Sequence, residues 1–139
     1  MEYIAEQARR FHDAGMAWKD MAVLFRLNRQ GERIASHLAR ASIPVSLFGK
    51  DPAHRKFRPR EDTIKLMTFH SSKGLEFPVV FIPFLESLPH MREDVAGEAK
   101  LLYVAMTRAM ERLMLSHHGH SVFVAEVREA LSQTAFGNG

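Results

Sequence analysis

The chain has 139 residues, 46% hydrophobic and 25% charged, one domain's worth of globular sequence that excludes disorder and fibrous repeats. It contains no cysteine, so a disulfide framework, a thiolate zinc site and a cysteine nucleophile are excluded together. The net charge of +3 is unevenly placed: Arg55, Lys56, Arg58 and Arg60 share one short stretch, and without them the chain would carry −1, an asymmetry that suits a polyanionic partner.

Ile4, Ala8 and Phe11 recur at helical spacing and Gly15 follows where a helix would stop, which predicts a first helix. Trp18-Lys19-Asp20 leads into Met21-Ala22-Val23-Leu24-Phe25, a continuous apolar run suited to a strand buried on both faces of a parallel sheet. Asn28 is the expected cap of the next helix, with Ile34, Leu38 and Ala41 as its core stripe. Pro44 opens a short strand through Phe48, closed by Gly49, and the polar, basic, Pro-containing stretch from 50 to 62 reads as a loop. Thr63 to Phe69 and Val79 to Ile82 read as strands separated by a turn at His70-Ser71-Ser72-Lys73-Gly74. Glu86 to Asp94 is loop-like, and Val95 to Met110 is predicted to be a helix in which Leu102, Met106 and Ala109 share a face. Leu113-Met114-Leu115 makes a last strand, Phe123, Val127 and Leu131 mark a final helix, and 136–139 is expected to be a flexible tail.

Strands alternating with helices predict an α/β fold with a mostly parallel sheet. The longest apolar run, Phe77 to Leu85, contains Pro78 and Pro83 and falls far short of the ~20 residues that a membrane helix needs. The first residues carry no apolar signal core. Residues 1–139 thus read as one soluble, cytoplasmic domain with no membrane partner.

In open α/β sheets, ligands bind beyond the carboxyl ends of the strands, and two segments are expected there. Thr68-Phe69-His70-Ser71-Ser72-Lys73-Gly74-Leu75-Glu76-Phe77 is dense in hydroxyl, imidazole and ammonium groups that can hold phosphate or sugar oxygens. Its plainer reading is a solvated loop in which Gly74 supplies a positive φ. In Leu101-Leu102-Tyr103-Val104-Ala105-Met106-Thr107-Arg108-Ala109, Arg108 emerges beside apolar positions. An arginine so placed either meets a specific anion, whose geometry its fork matches, or complements a helix C-terminus. A phosphate loop is missing: Gly49-Lys50 is followed by Asp51 and preceded by proline at 44, and Lys73-Gly74 runs in the reverse order. The chain is not expected to hydrolyse ATP alone.

Taken together, these segments carry a resemblance. Residues Ile64 to Ile82 closely resemble motif V of UvrD/Rep/PcrA-type superfamily 1 DNA helicases, and Leu101 to Ala109 resembles their motif VI. Ala22 to Gln30 is similar to the strand and turn earlier in the same domain, and order and spacing agree over most of residues 3–131. The resemblance implies the second, C-terminal RecA-like domain of such a helicase: a P-loop NTPase-like three-layer fold without its own P-loop. ATP with Mg2+ would be bound mainly by the N-terminal RecA-like domain of the same protein, which would be a partner alongside single-stranded DNA. By similarity, Arg108 is the arginine finger that neutralises charge on the transferring phosphoryl group. Glu76, with Gly74, would lie on the nucleotide's ribose side. Thr68, His70, Ser71 and Arg26 would lie on the single-stranded DNA track, and the motor would step 3′ to 5′.

The chain departs from the family in three places. Gln30-Gly31-Glu32 stands where Gln-Ser-Arg is usual, Ala99-Lys100 stands where two arginines are common, and only a short basic loop replaces the bulky insertion of larger members. That loop, His54 to Arg60, either adds phosphate contacts, with Phe57 stacking a base, or is a solvated connector. His117, His118 and His120 lack cysteine or carboxylate partners, so no metal is expected. The eight methionines read as core filling and Trp18 as a packing residue. Two other readings stay open: a stand-alone module that binds nucleic acid or scaffolds a repair complex, and an unrelated α/β enzyme using His70 or the histidine cluster, for which no nucleophile is found.

Overall fold

The computed structural model describes residues 2–49, 57–88, 90 and 94–116. Its elements run α1 (Glu2–Asp13), β1 (Met21–Phe25), α2 (Asn28–Arg40), β2 (Val45–Leu47), β3 (Ile64–Thr68), β4 (Phe77–Ile82), α3 (Val95–Met106) and β5 (Ala109–Leu115). The five strands form one sheet in the order β2-β3-β1-β4-β5, and every pairing is parallel. The predicted α/β class holds.

The apolar run of β1 is buried along its whole length because it is the central strand and both of its faces are covered. Met21, Val23 and Phe25 join Ile4 and Ala8 of α1 and Ile34 and Leu38 of α2 in one core. Ala22 and Leu24 face the other way, toward Leu102 and Ala105 of α3. The two-residue period of the strand therefore feeds two cores, with α1 and α2 on one face and α3 on the other. The first turn of α2 lies flat on β1: a Cβ at Gly31 would run into the Phe25 ring edge and stand 3.1 Å from Leu47 Cδ1.

Two predicted helix ends shift. Asn28 is the first helical residue of α2, and Leu27 takes the cap position. The Gln30 side chain does the capping instead, its Oε1 accepting from Leu27 N at 3.0 Å and Arg26 N at 3.2 Å. Helix α3 is capped by Asp94, which accepts from Gly97 N at 3.1 Å, and stops at Met106 rather than Met110. Thr107 Oγ1 donates to Val104 O at 2.7 Å, and Phe77 N donates to Arg108 O at 2.9 Å, which draws the chain into β5. Ala109 accordingly pairs with Phe77 in the sheet instead of sharing a helix face with Leu102. The final helix expected around Phe123 to Leu131, the tail at 136–139 and the three histidines at 117, 118 and 120 lie outside the described residues. No helix among the described residues is long and apolar enough to cross a membrane.

Candidate functional site

The parallel topology gives the sheet two distinct ends, and the candidate residues divide between them. Phe25 of β1 pairs with Thr68 of β3, so Arg26, Thr68, His70 and Ser71 gather at the carboxyl ends of the central strands. Phe77 of β4 pairs with Ala109 of β5 at their first residues, so Glu76 and Arg108 lie together at the amino ends. The expectation that both segments sit beyond the carboxyl ends is corrected for Arg108: a residue between a crossover helix and the parallel strand it feeds belongs at that strand's start. The stretch from Phe69 to Glu76 spans from one end of the sheet to the other.

At the carboxyl end, residues His70–Ser72 form a single 3-10 turn. Thr68 Oγ1 donates to Ser71 Oγ at 3.1 Å and accepts from Ser71 N at 3.2 Å. Fully buried Ser72 donates to Phe69 O at 2.7 Å. His70 is exposed on this turn, and Thr68 and Ser71 are half-buried. Further along the stretch, two residues before Glu76 and toward the amino end, Gly74 has φ 81° with open space around it, so its requirement is the left-handed backbone alone.

Arg26 is held in place. Its Nε donates to Glu98 Oε2 at 3.0 Å and Oε1 at 3.3 Å, and Glu98 Oε1 also accepts from His90 N at 2.7 Å. The Glu98 side chain is only 3% exposed, so its charge depends on these donors. Sequence reasoning did not single out Glu98. The signal was legible, since Glu98, Leu102 and Ala105 fall on one helical stripe, and an acid on a core stripe requires a partner.

At the amino end, the Arg108 guanidinium folds back on the last turn of α3: Nε donates to Val104 O at 3.1 Å and Nη2 to Thr107 Oγ1 at 3.1 Å. Its Nη1 meets no acceptor among the described residues. Glu76 is exposed, makes no hydrogen bond among the described residues and lines an open groove of about 500 Å³ with Lys19, Arg60, Phe57 and Pro78. Phe57 is wedged between Phe48 and Phe77, at centroid distances of 5.9 and 6.5 Å, so its ring is a packing element. Arg55 and Lys56 lie outside the described residues.

A second feature missed in the sequence is Lys65, the second residue of β3 and 1% exposed. Its Nζ donates to Glu61 O and, at 2.8 Å, to Thr63 Oγ1. Burial holds the ammonium below its ordinary value, with Glu61 and Asp62 opposing the shift. Among the described residues, no three histidine or acidic side chains come together to hold a metal ion.

The family described as UvrD-like helicase C-terminal domain matches residues 51–120. ATP-dependent DNA helicase UvrD1 of Mycobacterium leprae is 50% identical over 60 residues, covering 38% of this chain and 8% of that protein. ATP-dependent DNA helicase PcrA of Leuconostoc citreum is 37% identical over 99 residues, covering 58% of this chain and 13% of that protein. The chain thus matches only about a tenth of the length of these curated relatives. Among solved structures, the C-terminal domain of a possible DNA helicase from Lactobacillus plantarum WCFS1 superposes with a TM-score of 0.70 at 24% identity, covering 94% of this chain and 74% of that one. The Pyrococcus furiosus Hef helicase domain does so with a TM-score of 0.59 at 14% identity, covering 93% and 27%. Both show the same RecA-like fold.

Proposed function

Because this chain belongs to the UvrD-like helicase C-terminal domain family, we propose that it is the second motor domain of a cytoplasmic ATP-dependent DNA helicase or translocase that steps 3′ to 5′. The single observation that carries this reading is the division of polar residues between the two ends of the sheet. Thr68, His70, Ser71 and Arg26 stand at one end and Glu76 and Arg108 at the other, joined by the stretch from Phe69 to Glu76.

At the amino end, the groups suit one flank of a nucleotide. Glu76 is an exposed carboxylate able to accept from ribose hydroxyls beside Gly74, and Arg108 has one guanidinium edge with no protein acceptor among the described residues. ATP with Mg2+, held mainly by the N-terminal RecA-like domain of the same protein, would supply the phosphoanhydride to be cleaved. Arg108 then places a fixed positive charge where charge develops on the transferring phosphoryl group. Its bonds to Val104 O and Thr107 Oγ1 hold the fork in a defined orientation, so little reorganisation is needed on closure.

At the carboxyl end, the Thr68 and Ser71 hydroxyls and the exposed His70 ring form a polar surface for a single-strand backbone. Arg26 adds a cation whose position is set by Glu98. The whole chain is one domain on this reading, with the 50–62 stretch as a short basic connector.

A second reading is favoured by one contact. Because Nε and Nη2 of Arg108 already bond the end of α3, the arginine can serve as a helix-terminal complement in a module that binds nucleic acid without joining in hydrolysis. The full-length protein decides between the two. Single-stranded DNA should stimulate its ATP hydrolysis, and duplexes with a 3′ single-stranded tail should be unwound in preference to those with a 5′ tail. An absence of DNA-stimulated hydrolysis favours the second reading.

A further inference from the structure

We infer that Phe84 and Arg33 form a base-stacking platform for single-stranded nucleic acid at the carboxyl end of the sheet. The inference rests on the proposed DNA track and adds to it a subsite that reads base surface rather than backbone.

Two non-glycine residues among those described have positive φ: Ser42 at 61° and Phe84 at 63°. Ser42 has an ordinary explanation. It follows α2, and Ile43 N bonds Leu38 O at 2.9 Å while Ser42 N bonds Ala39 O at 3.0 Å, the pattern that ends many helices with a left-handed residue. Phe84 ends no helix. A bulky aromatic in the left-handed region is disfavoured, and such residues persist where their surroundings fix them and cluster at functional sites.

The surroundings that fix Phe84 lead back to the proposed track. Ser87 donates to Phe84 O from its N at 3.0 Å and from its Oγ at 2.7 Å. Ser87 Oγ in turn accepts from Gln30 Nε2 at 3.2 Å, and Gln30 Oε1 accepts from the backbone N–H of Arg26. The register gives the same end of the sheet: Val23 pairs with Phe81, so Arg26 and Phe84 both follow the carboxyl ends of neighbouring strands, Arg26 turned toward Glu98 of α3 and Phe84 toward the α1/α2 core.

Arg33 completes the platform. It projects from exposed α2 surface, its guanidinium carbon lies 5.7 Å from the Phe84 ring centroid, and it makes no ion pair or hydrogen bond among the described residues. The ring braces the guanidinium by a cation–π contact. A braced guanidinium plane can take a nucleobase on its free face, and its N–H groups remain available to the flanking phosphate.

The test separates stacking from charge. The 139-residue chain is titrated with a labelled short oligodeoxyadenylate and with an abasic strand of the same length and charge. The wild type should prefer the base-bearing strand by about tenfold. Phe84→Gly removes the ring and relieves the positive φ but also deletes its packing against the α1/α2 core, so an unchanged circular dichroism spectrum is required of it, and Arg33→Lys is the variant that leaves this packing in place. Arg33→Lys keeps the charge and removes the plane. Both variants should lower the preference to near unity. A preference that survives in both overturns the platform while leaving the track reading intact. If the wild type binds neither strand, the track reading falls and the platform with it.

Discussion

Arg26, the residue after β1, holds its Nε 3.0 Å from Oε2 of Glu98, one turn into α3, and thereby ties the central strand to the helix that ends at Met106, two residues before Arg108. The pair joins elements 72 residues apart in sequence. Because Glu98 is 3% exposed and Arg26 16%, removing one partner leaves a charge that water reaches poorly.

Glu98→Ala should therefore cost about 3 kcal/mol, toward the lower end of the range for broken buried pairs because Arg26 keeps some solvent. Urea unfolding of the isolated chain measures this, and a double-mutant cycle with Arg26→Ala should give a coupling above about 1 kcal/mol. A loss within the scatter of surface substitutions would show that the pair holds nothing.

The pair also marks what the sequence could and could not reveal. The apolar runs of β1 and β4 were legible because a strand covered on both faces has nearly continuous hydrophobic sequence. Glu98 was legible in principle from its place on the Leu102–Ala105 stripe. The end of α3 was not: Ala109 and Met110 are good helix formers that continue the local pattern, and only pairing with β4 draws them into a strand. Nor could local sequence say at which end of the sheet Arg108 would stand, since that depends on where the crossover delivers the chain.

Phe57 has a different fate from the base-stacking role considered for it. Its ring packs edge-on against Phe48 and Phe77 and is half-buried. Phe57→Ala should destabilise the chain by about 1–3 kcal/mol, below the range for fully buried phenylalanines. Affinity for single-stranded DNA should stay within about twofold of wild type, since the substitution removes packing and no base contact. A large loss of DNA affinity with unchanged stability would reverse that assignment.

Lys65 gives a pH signature. Burial lowers its pKa in the folded chain below the ordinary 10.5, so between the lowered value and 10.5 the unfolded state binds more protons. Stability conferred at this position should therefore rise as pH climbs through that window and stay flat below it. Comparing wild type with Lys65→Met by thermal unfolding isolates the effect: the difference between them should shift in favour of wild type from neutral pH toward pH 10.5. A difference independent of pH would mean that the ammonium is well solvated in the folded state.

The central claim concerns Arg108. The decisive measurement is ATP turnover by the full-length protein at saturating single-stranded DNA, with wild type and Arg108→Ala compared and DNA affinity measured in parallel. Arg108→Ala should lower turnover by about a thousandfold or more, as loss of an arginine finger does, with DNA affinity unchanged because Arg108 stands at the opposite end of the sheet from Thr68 and His70. Turnover near the wild-type rate would contradict the account and leave Arg108 as the complement of the α3 C-terminus.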